Sequence, residues 1–298
     1  MTVRQVRFFF VDVFAARPLT GNPLALVPDA DGLEESAMKA LAREFHQSET
    51  TFVLRPTRDD ARWRLRSFTP AGFEVGGAGH NALGAWLWLA DAGRVDDGDH
   101  VQQIGDELLP VTVSRRPDGI HVAMTQGSPR VSEPVADAPA VAEALGIGAS
   151  AIDAELAVRV GSTGVPHLLV PVHGAEVVDA VRPDARALLS VLRAAGAEGC
   201  YVYSIDSRGD AGEGTDADAY ARFFNPTVGI VEDPATGTAA GPLAAHLVRA
   251  GRLPDGADVR IDQGHALERP SRLVVNVAGD AVTLRGSGVV SGEGLMRL

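Results

Sequence analysis

The chain repeats itself. Residues 79–94 align without a gap on residues 237–252, with identities at Gly79/Gly237, Ala82/Ala240, Leu89/Leu247, Ala92/Ala250, Gly93/Gly251 and Arg94/Arg252. Upstream, Glu74 falls opposite Glu232 in the same register, and Arg66, Phe68 and Pro70 match Arg222, Phe224 and Pro226 after a two-residue slip. Two glycine-opened, Ala/Leu-rich helices could resemble each other by composition alone. Here the match runs through a strand, an Arg-x-Phe-x-Pro turn, a glycine loop and a helix stop. A duplicated half restricts the fold to two similar lobes.

The hydropathy pattern fills in each half. Residues 5–14 form an apolar, aromatic run that reads as a buried strand, and Thr20-Gly21-Asn22-Pro23 is a turn before a second strand at 24–27. Ala37, Met38, Leu41, Ala42 and Phe45 recur at helical spacing, with Asp31 or Gly32 as the start and His46 near the end. Strands follow at 51–54 and 61–68, then a glycine loop at 76–79 and a helix from His80 to about Ala92, stopped by Gly93. That helix is apolar on nearly all sides and belongs inside a core. The second half reads as strands at 157–160, 167–172, 199–205 and 219–224, helices at 184–195 and 238–250, and short strands through 258–298. The acidic, glycine-rich stretch 206–218 lacks the ligand order of a calcium loop and reads as a solvated, mobile loop.

Bulk properties narrow the classes. With 298 residues the chain has room for one large domain or two ordinary ones. The expected division is residues 1–125 and 126–298, the last strand being a candidate to cross back to the first lobe. A net charge of −12 without a Lys/Arg cluster argues against nucleic acid as a partner. No stretch approaches the ~18 apolar residues of a membrane span. The N-terminal apolar run is short and interrupted by Asp12, so a cytoplasmic protein is expected. The single cysteine, Cys200, permits neither an intramolecular disulfide nor a cysteine-based metal site. The eight histidines show no HxH or HExxH spacing, so no metal is expected.

The duplicated helices each open on a glycine, Gly79 and Gly237. A helix N-terminus offers unpaired N–H groups and a partial positive charge, which suits a small carboxylate or a developing anion. Three polar groups stand beside these loops: Glu49 at a helix-to-strand junction, His80 at the start of the first helix, and Asp233 just before the second. A carboxyl buried in a cleft has its charged form disfavoured, and its pKa rises toward neutrality, where it can carry a proton. A histidine at a helix N-terminus is pushed toward its neutral form. Taken singly, Ser48-Glu49-Thr50 reads as a turn or cap, His80 as a cap and Asp233-Pro234 as a turn start. Their joint position beside two duplicated loops favours the functional reading.

At these residues the chain resembles the PhzF-like isomerase family of phenazine biosynthesis, which shares its fold with diaminopimelate epimerase and proline racemase. The resemblance spans essentially the whole chain. It rests on Asp12-Val-Phe14, Thr20-Gly-Asn-Pro-Leu-Ala25, Gln47-Ser-Glu-Thr50, Phe68-Thr-Pro70 with Glu74 and Gly79-His80, Glu232-Asp-Pro-Ala-Thr-Gly-Thr238, and Gln263-Gly264 with Arg269-Pro-Ser271. It implies an α+β fold of two pseudo-symmetric lobes, each a curved, mostly antiparallel sheet around a central helix. It further implies an active site between the lobes, a homodimer, no cofactor and a small carboxylate-bearing substrate. By the resemblance Glu49 is the catalytic acid/base, with His80 and Asp233 as polar partners. Gly79, Gly237 and Thr238 are implied to hold the substrate, and Thr238 stands where the family commonly has Ser.

The chain departs from the family pattern at His46, often Asn, at Gly77, often aromatic, and at Asn81-Ala82, often Pro-Thr. Gly77 and Asn81-Ala82 are expected to line the pocket and to bear on the substrate. The two-cysteine chemistry of the racemase relatives is excluded by the cysteine count. Two other classes stay open at this point. Gly77-Ala-Gly79-His-Asn-Ala82 fits G-x-G-x-x-A, the mark of a nucleotide-dependent oxidoreductase, although Gly237-Thr-Ala-Ala-Gly241 does not preserve it. A non-catalytic small-molecule-binding protein on the same fold is the other.

Overall fold

The computed structural model describes residues 4–205 and 216–298. Residues 206–215, which hold most of the acidic stretch read as a mobile loop, lie outside the described residues. The chain forms two compact units, Met1–Thr125 with Arg285–Leu298, and Gln126–Leu284.

In the first unit the elements run β1 (Gln5–Val13), β2 (Asn22–Val27), α1 (Glu35–Phe45), β3 (Thr50–Leu54), β4 (Trp63–Phe68), β5 (Glu74–Val75), α2 (His80–Asp91), β6 (Gly98–Ile104), β7 (Glu107–Arg116) and β8 (Gly119–Thr125). β1 and β2 are antiparallel, with Val13 opposite Asn22. The Asp12 carboxylate accepts the Leu19 N–H at 2.8 Å in the connecting turn. Gly21 closes that turn at φ 69°, where a Cβ would lie 2.3 Å from the Val13 carbonyl oxygen, so only glycine fits. α1 buries Met38, Leu41, Ala42 and Phe45, the expected stripe. It begins later than the expected Asp31 or Gly32, because the Asp31 carboxylate accepts the Arg55 N–H at 3.1 Å and Glu34 takes the N-cap position.

β2 pairs parallel with β3, β3 antiparallel with β4, β4 antiparallel with β5 and parallel with β6, and β6, β7 and β8 follow as antiparallel neighbours. The last strand of the chain, Ala281–Arg297, returns antiparallel to β1 and also pairs with β8, so that eight strands close on themselves. α2 runs through their centre with ten of its twelve residues buried. Gly84 permits the close approach, since a Cβ there would meet Leu24 Cδ2 at 2.6 Å and Val13 Cγ2 at 2.8 Å.

The second unit contains β9 (Arg130–Val131), α3 (Ala138–Ala144), β10 (Arg159–Ser162), β11 (Pro166–Pro171), α4 (Ala175–Ala180), α5 (Ala185–Ala195), β12 (Gly199–Ser204), β13 (Ala219–Asn225), β14 (Ile230–Asp233), α6 (Gly237–Arg249), β15 (Asp258–Gln263), β16 (Ser271–Ala278) and β17 (Ala281–Arg297). Its pairings repeat those of the first unit in order. β10 and β11 are antiparallel, β11 and β12 parallel, β12 and β13 antiparallel, β13 and β14 antiparallel, β13 and β15 parallel, and β15 and β16 antiparallel. α6 takes the place of α2, between β14 and β15. The region read as short strands ends instead in the 17-residue β17, which contributes to both units.

The duplication is visible at the level of single bonds. α2 and α6 end on the same cap: Gly93 at φ 67° and Gly251 at φ 69°, with Arg94 N–H on the Leu89 carbonyl at 2.8 Å and Arg252 N–H on the Leu247 carbonyl at 2.9 Å. Arg66 is bidentate to Glu74 at 2.7 Å, and Arg222 is bidentate to Glu232 at 2.9 and 2.8 Å. Each guanidinium also lies 5.0 Å from its phenylalanine, Phe68 or Phe224. No helix among the described residues is long and apolar enough to cross a membrane.

Candidate active site

Glu49 sits in the link from α1 to β3. α1 ends at His46 in the left-handed region, φ 52°, with its N–H on the Ala42 carbonyl, and the chain turns there toward β3. The Glu49 side chain is 20% exposed overall, but its Oε2 is shut off from solvent and makes no hydrogen bond among the described residues. The nearest charge partner is His80, whose Nδ1 lies 3.4 Å from that oxygen. Burial pushes the Glu49 carboxyl up to about 7 from its ordinary 4.5. The other ring nitrogen of His80, Nε2, lies 3.3 Å from Ser48 Oγ. Ser48 and Glu49 therefore straddle one imidazole. The sequence places Glu49 and His80 beside the same loops; Ser48 is legible there as part of a turn or cap and of the Gln47–Thr50 motif, but not as a partner of His80.

The loop before α2 is held by Asn81. Its Oδ1 accepts the Gly79 N–H at 2.7 Å, and its Nδ2 donates to the Gly77 carbonyl at 3.0 Å and to Ser67 Oγ at 3.1 Å. Ser67 Oγ meets Thr51 Oγ1 at 2.8 Å, which ties the loop to β3 and β4. This corrects the expectation that Asn81 and Ala82 line a pocket: both are buried, and the Asn81 amide is spent on the loop. The Gly79 N–H is likewise engaged by Asn81. Gly77 is exposed, and a Cβ there would meet nothing within 4 Å.

In the second unit the corresponding loop is braced from outside its own helix. Gln263, fully buried at the end of β15, donates from Nε2 to the Asp233 carbonyl at 2.7 Å and to Thr236 Oγ1 at 3.2 Å. Its Oε1 accepts the Thr236 N–H at 3.1 Å and the Tyr201 hydroxyl at 2.9 Å. The Thr236 hydroxyl in turn donates to Asp233 Oδ2. Gly264 follows at φ 81°, where a Cβ would stand 2.3 Å from the Arg269 carbonyl oxygen and 2.6 Å from that of Pro234. Gly237 is buried, and its carbonyl accepts from Gln126 Nε2 at 2.9 Å. Thr238 is half-buried, with Oγ1 3.0 Å from Nε2 of His167. His167, one of the eight histidines without metal-ligand spacing, is 2% exposed.

The six residues singled out from sequence thus fall three to a unit: Glu49, Gly79 and His80 in the first, and Asp233, Gly237 and Thr238 in the second. The fold brings Glu49 onto His80 and gathers Asp233 with Thr236 and Gln263.

A family model for phenazine biosynthesis-like proteins matches residues 11–294. The chain belongs to that family. It is 36% identical over 298 residues to the trans-2,3-dihydro-3-hydroxyanthranilate isomerase of Pseudomonas aeruginosa, covering 97% of this chain and 98% of that protein. The PhzF-family phenazine biosynthesis protein of Bacillus anthracis superposes with a TM-score of 0.89 at 26% identity, over 98% of this chain and 99% of that one. A hydroxyproline epimerase from Agrobacterium vitis matches with a TM-score of 0.62 at 15% identity, over 99% of this chain and 93% of that one, which shows the shared epimerase-like fold.

As a member of this family the protein is an isomerase. The glycine-rich stretch at Gly77 is accordingly no nucleotide fingerprint. It follows a two-residue antiparallel strand, and its first Gly–x–Gly is closed on Asn81. Family motifs that looked disconnected in the sequence have separate physical tasks. Asp12 holds the first hairpin turn, and Gln263-Gly264 holds the Asp233 loop. Cys200 is buried in β12, where burial pushes its thiol up and away from the thiolate.

Proposed function

We propose that this protein is a cofactor-independent isomerase that moves a proton on a small carboxylate-bearing substrate, with Glu49 as the acid/base. One observation carries this reading. Glu49 Oε2 is buried beside His80, and the carboxyl titrates about 7, where both of its forms are populated at neutral pH. An ionised Glu49 removes a proton from an activated carbon, and the resulting acid returns it to another carbon of the same substrate. No electrons leave the substrate and no second reactant is needed. His80, within 3.4 Å, stabilises the ionised carboxylate when it forms. Asp233 enters as a second polar partner, and Gly79, Gly237 and Thr238 as substrate contacts, on the family resemblance.

For the substrate we propose a cyclic amino-carboxylate of the class that the Pseudomonas aeruginosa relative is named for, with trans-2,3-dihydro-3-hydroxyanthranilate as the first probe. The same reading takes the protein as a homodimer. The decisive experiment is turnover of that probe in deuterium oxide by the wild type and by Glu49→Gln. A loss of at least about a thousandfold in the variant is expected for a group that both takes and returns the proton, with deuterium entering the shifted carbon to the extent that the Glu49 acid exchanges with solvent before the return. An unchanged rate in Glu49→Gln sinks the reading.

A further inference from the structure

We propose that His167 is a positioning residue: its Nε2–H donates to Thr238 Oγ1 and so commits the hydroxyl's own hydrogen to an anionic group of the substrate at the first turn of α6. The inference rests on the reading of Thr238 as a substrate contact.

His167 lies on β11, paired across the sheet with Gly199 of β12. That glycine is required, because a Cβ there would stand 2.3 Å from Phe223 Cζ and 3.1 Å from His167 Nδ1. The ring is 2% exposed and packs at 90° to Phe223, with ring centres 5.0 Å apart. Its Nε2 is 3.0 Å from Thr238 Oγ1, and its Nδ1 is buried without a hydrogen-bond partner among the described residues. Burial holds the imidazole down to about 4, so at neutral pH it carries one proton. That proton has two places. On Nδ1 it would be a buried N–H with no acceptor, and such orphaned donors are rarer than under-used acceptors. On Nε2 it meets Thr238 Oγ1.

The second choice sets the direction of the hydroxyl. A threonine oxygen that accepts from a fixed, buried donor keeps one hydrogen to give, and that hydrogen points away from the imidazole. A free hydroxyl rotor could present either a hydrogen or a lone pair to a ligand. With His167 in place it presents the hydrogen, which suits a carboxylate or a developing oxyanion. His167 itself is too deeply placed to touch substrate, so its effect passes through Thr238.

The test has a spectroscopic arm that needs no turnover. In the full-length, nitrogen-15-labelled protein at pH 7, His167, assigned by comparison with His167→Phe, is expected as the neutral Nε2–H tautomer. Its Nε2 resonance is expected to move in Thr238→Val. A neutral Nδ1–H tautomer overturns the proposal. The kinetic arm uses trans-2,3-dihydro-3-hydroxyanthranilate. His167→Phe is expected to lower kcat/KM about tenfold, the scale of one neutral hydrogen bond, while His167→Gln keeps a donor and stays within about threefold of wild type. In a Thr238→Val background, His167→Phe is expected to cause no further loss, and a full tenfold loss there overturns the coupling. Should Thr238→Val alone leave kcat/KM unchanged while the Nε2–H tautomer is present, the substrate role of Thr238 fails, and His167 is reduced to a packing group.

Discussion

Glu49, in the link from α1 to β3, and His80, the first residue of α2, meet at 3.4 Å, Oε2 to Nδ1. Neither is a surface group. The carboxyl oxygen is closed to water, and the imidazole is held from its far side by Ser48 at 3.3 Å. A carboxylic acid so placed is a neutral group that can be ionised at small cost near pH 7.

The first prediction concerns the pH profile. Because catalysis begins with an ionised Glu49, kcat/KM for trans-2,3-dihydro-3-hydroxyanthranilate is expected to rise about tenfold per pH unit on the acid side and to level near pH 7. Initial rates across pH 4 to 9 give the profile. An acid limb that breaks near 4.5, the ordinary carboxyl value, would remove burial as the tuning element.

The same shift has a sign in stability. The folded Glu49 holds its proton up to about pH 7, while the unfolded side chain releases it near 4.5. Stability contributed by the protonated form is therefore complete below 4.5 and is lost as pH rises to 7. The loss amounts to about 3 kcal/mol on a scale of roughly 1.4 kcal/mol per pKa unit. Glu49→Gln, which cannot ionise, is expected to be more stable than wild type at pH 8 and close to it at pH 4.5. Urea unfolding at the two pH values measures the difference. Equal gains at both would mean that ionisation is not the cause.

The duplicated ion pairs differ in burial, and so in worth. Arg222 and Glu232 have side chains 7% and 9% exposed, whereas Arg66 and Glu74 are 17% and 43% exposed. Glu232→Ala strands a buried guanidinium and is expected to cost about 3–5 kcal/mol. Glu74→Ala is expected to cost less than about 1 kcal/mol, because water screens the pair and Arg66 keeps Glu35 at 2.7 Å. Chemical denaturation of the two variants ranks them. The reverse order would show that the repeat is not read correctly in energetic terms.

His46 closes α1 with φ 52°, a conformation that glycine and asparagine adopt with less strain. His46→Gly is expected to raise stability by roughly 0.5–1 kcal/mol without altering turnover, and His46→Asn by less. Thermal melts decide the point. A drop in stability would show that the exposed imidazole makes a contact worth more than the backbone strain.

The architecture was legible because it is written twice. An all-apolar helix opened and stopped by glycine admits one environment, the inside of a sheet, and two copies of it call for two such sheets. The matched positions Arg66/Arg222 and Glu74/Glu232 form the same ion pair in each half, a bond that the alignment alone does not reveal. Element starts were less legible: Asp31 looked like a cap and is instead spent on the Arg55 backbone, a contact that exists only once β3 is folded beside it. Gly93 and Gly251 stopped their helices as expected, since a positive φ is a property of the residue itself.

What the sequence determined by itself is what depends on local chemistry and period: the strand and helix pattern, the duplication, the lack of a cysteine pair, and a set of polar residues beside two glycine loops. The tertiary structure alone decided how those groups are used. Asn81 turned from a pocket residue into the clamp of its own loop, Gln263 became the brace of Asp233 and Thr236, and His167 came to rest on Thr238. Each of these outcomes depends on a partner distant in sequence and on burial. Burial sets what an unmet hydrogen bond costs and lifts Glu49 to neutrality, and it exists only after the chain has folded.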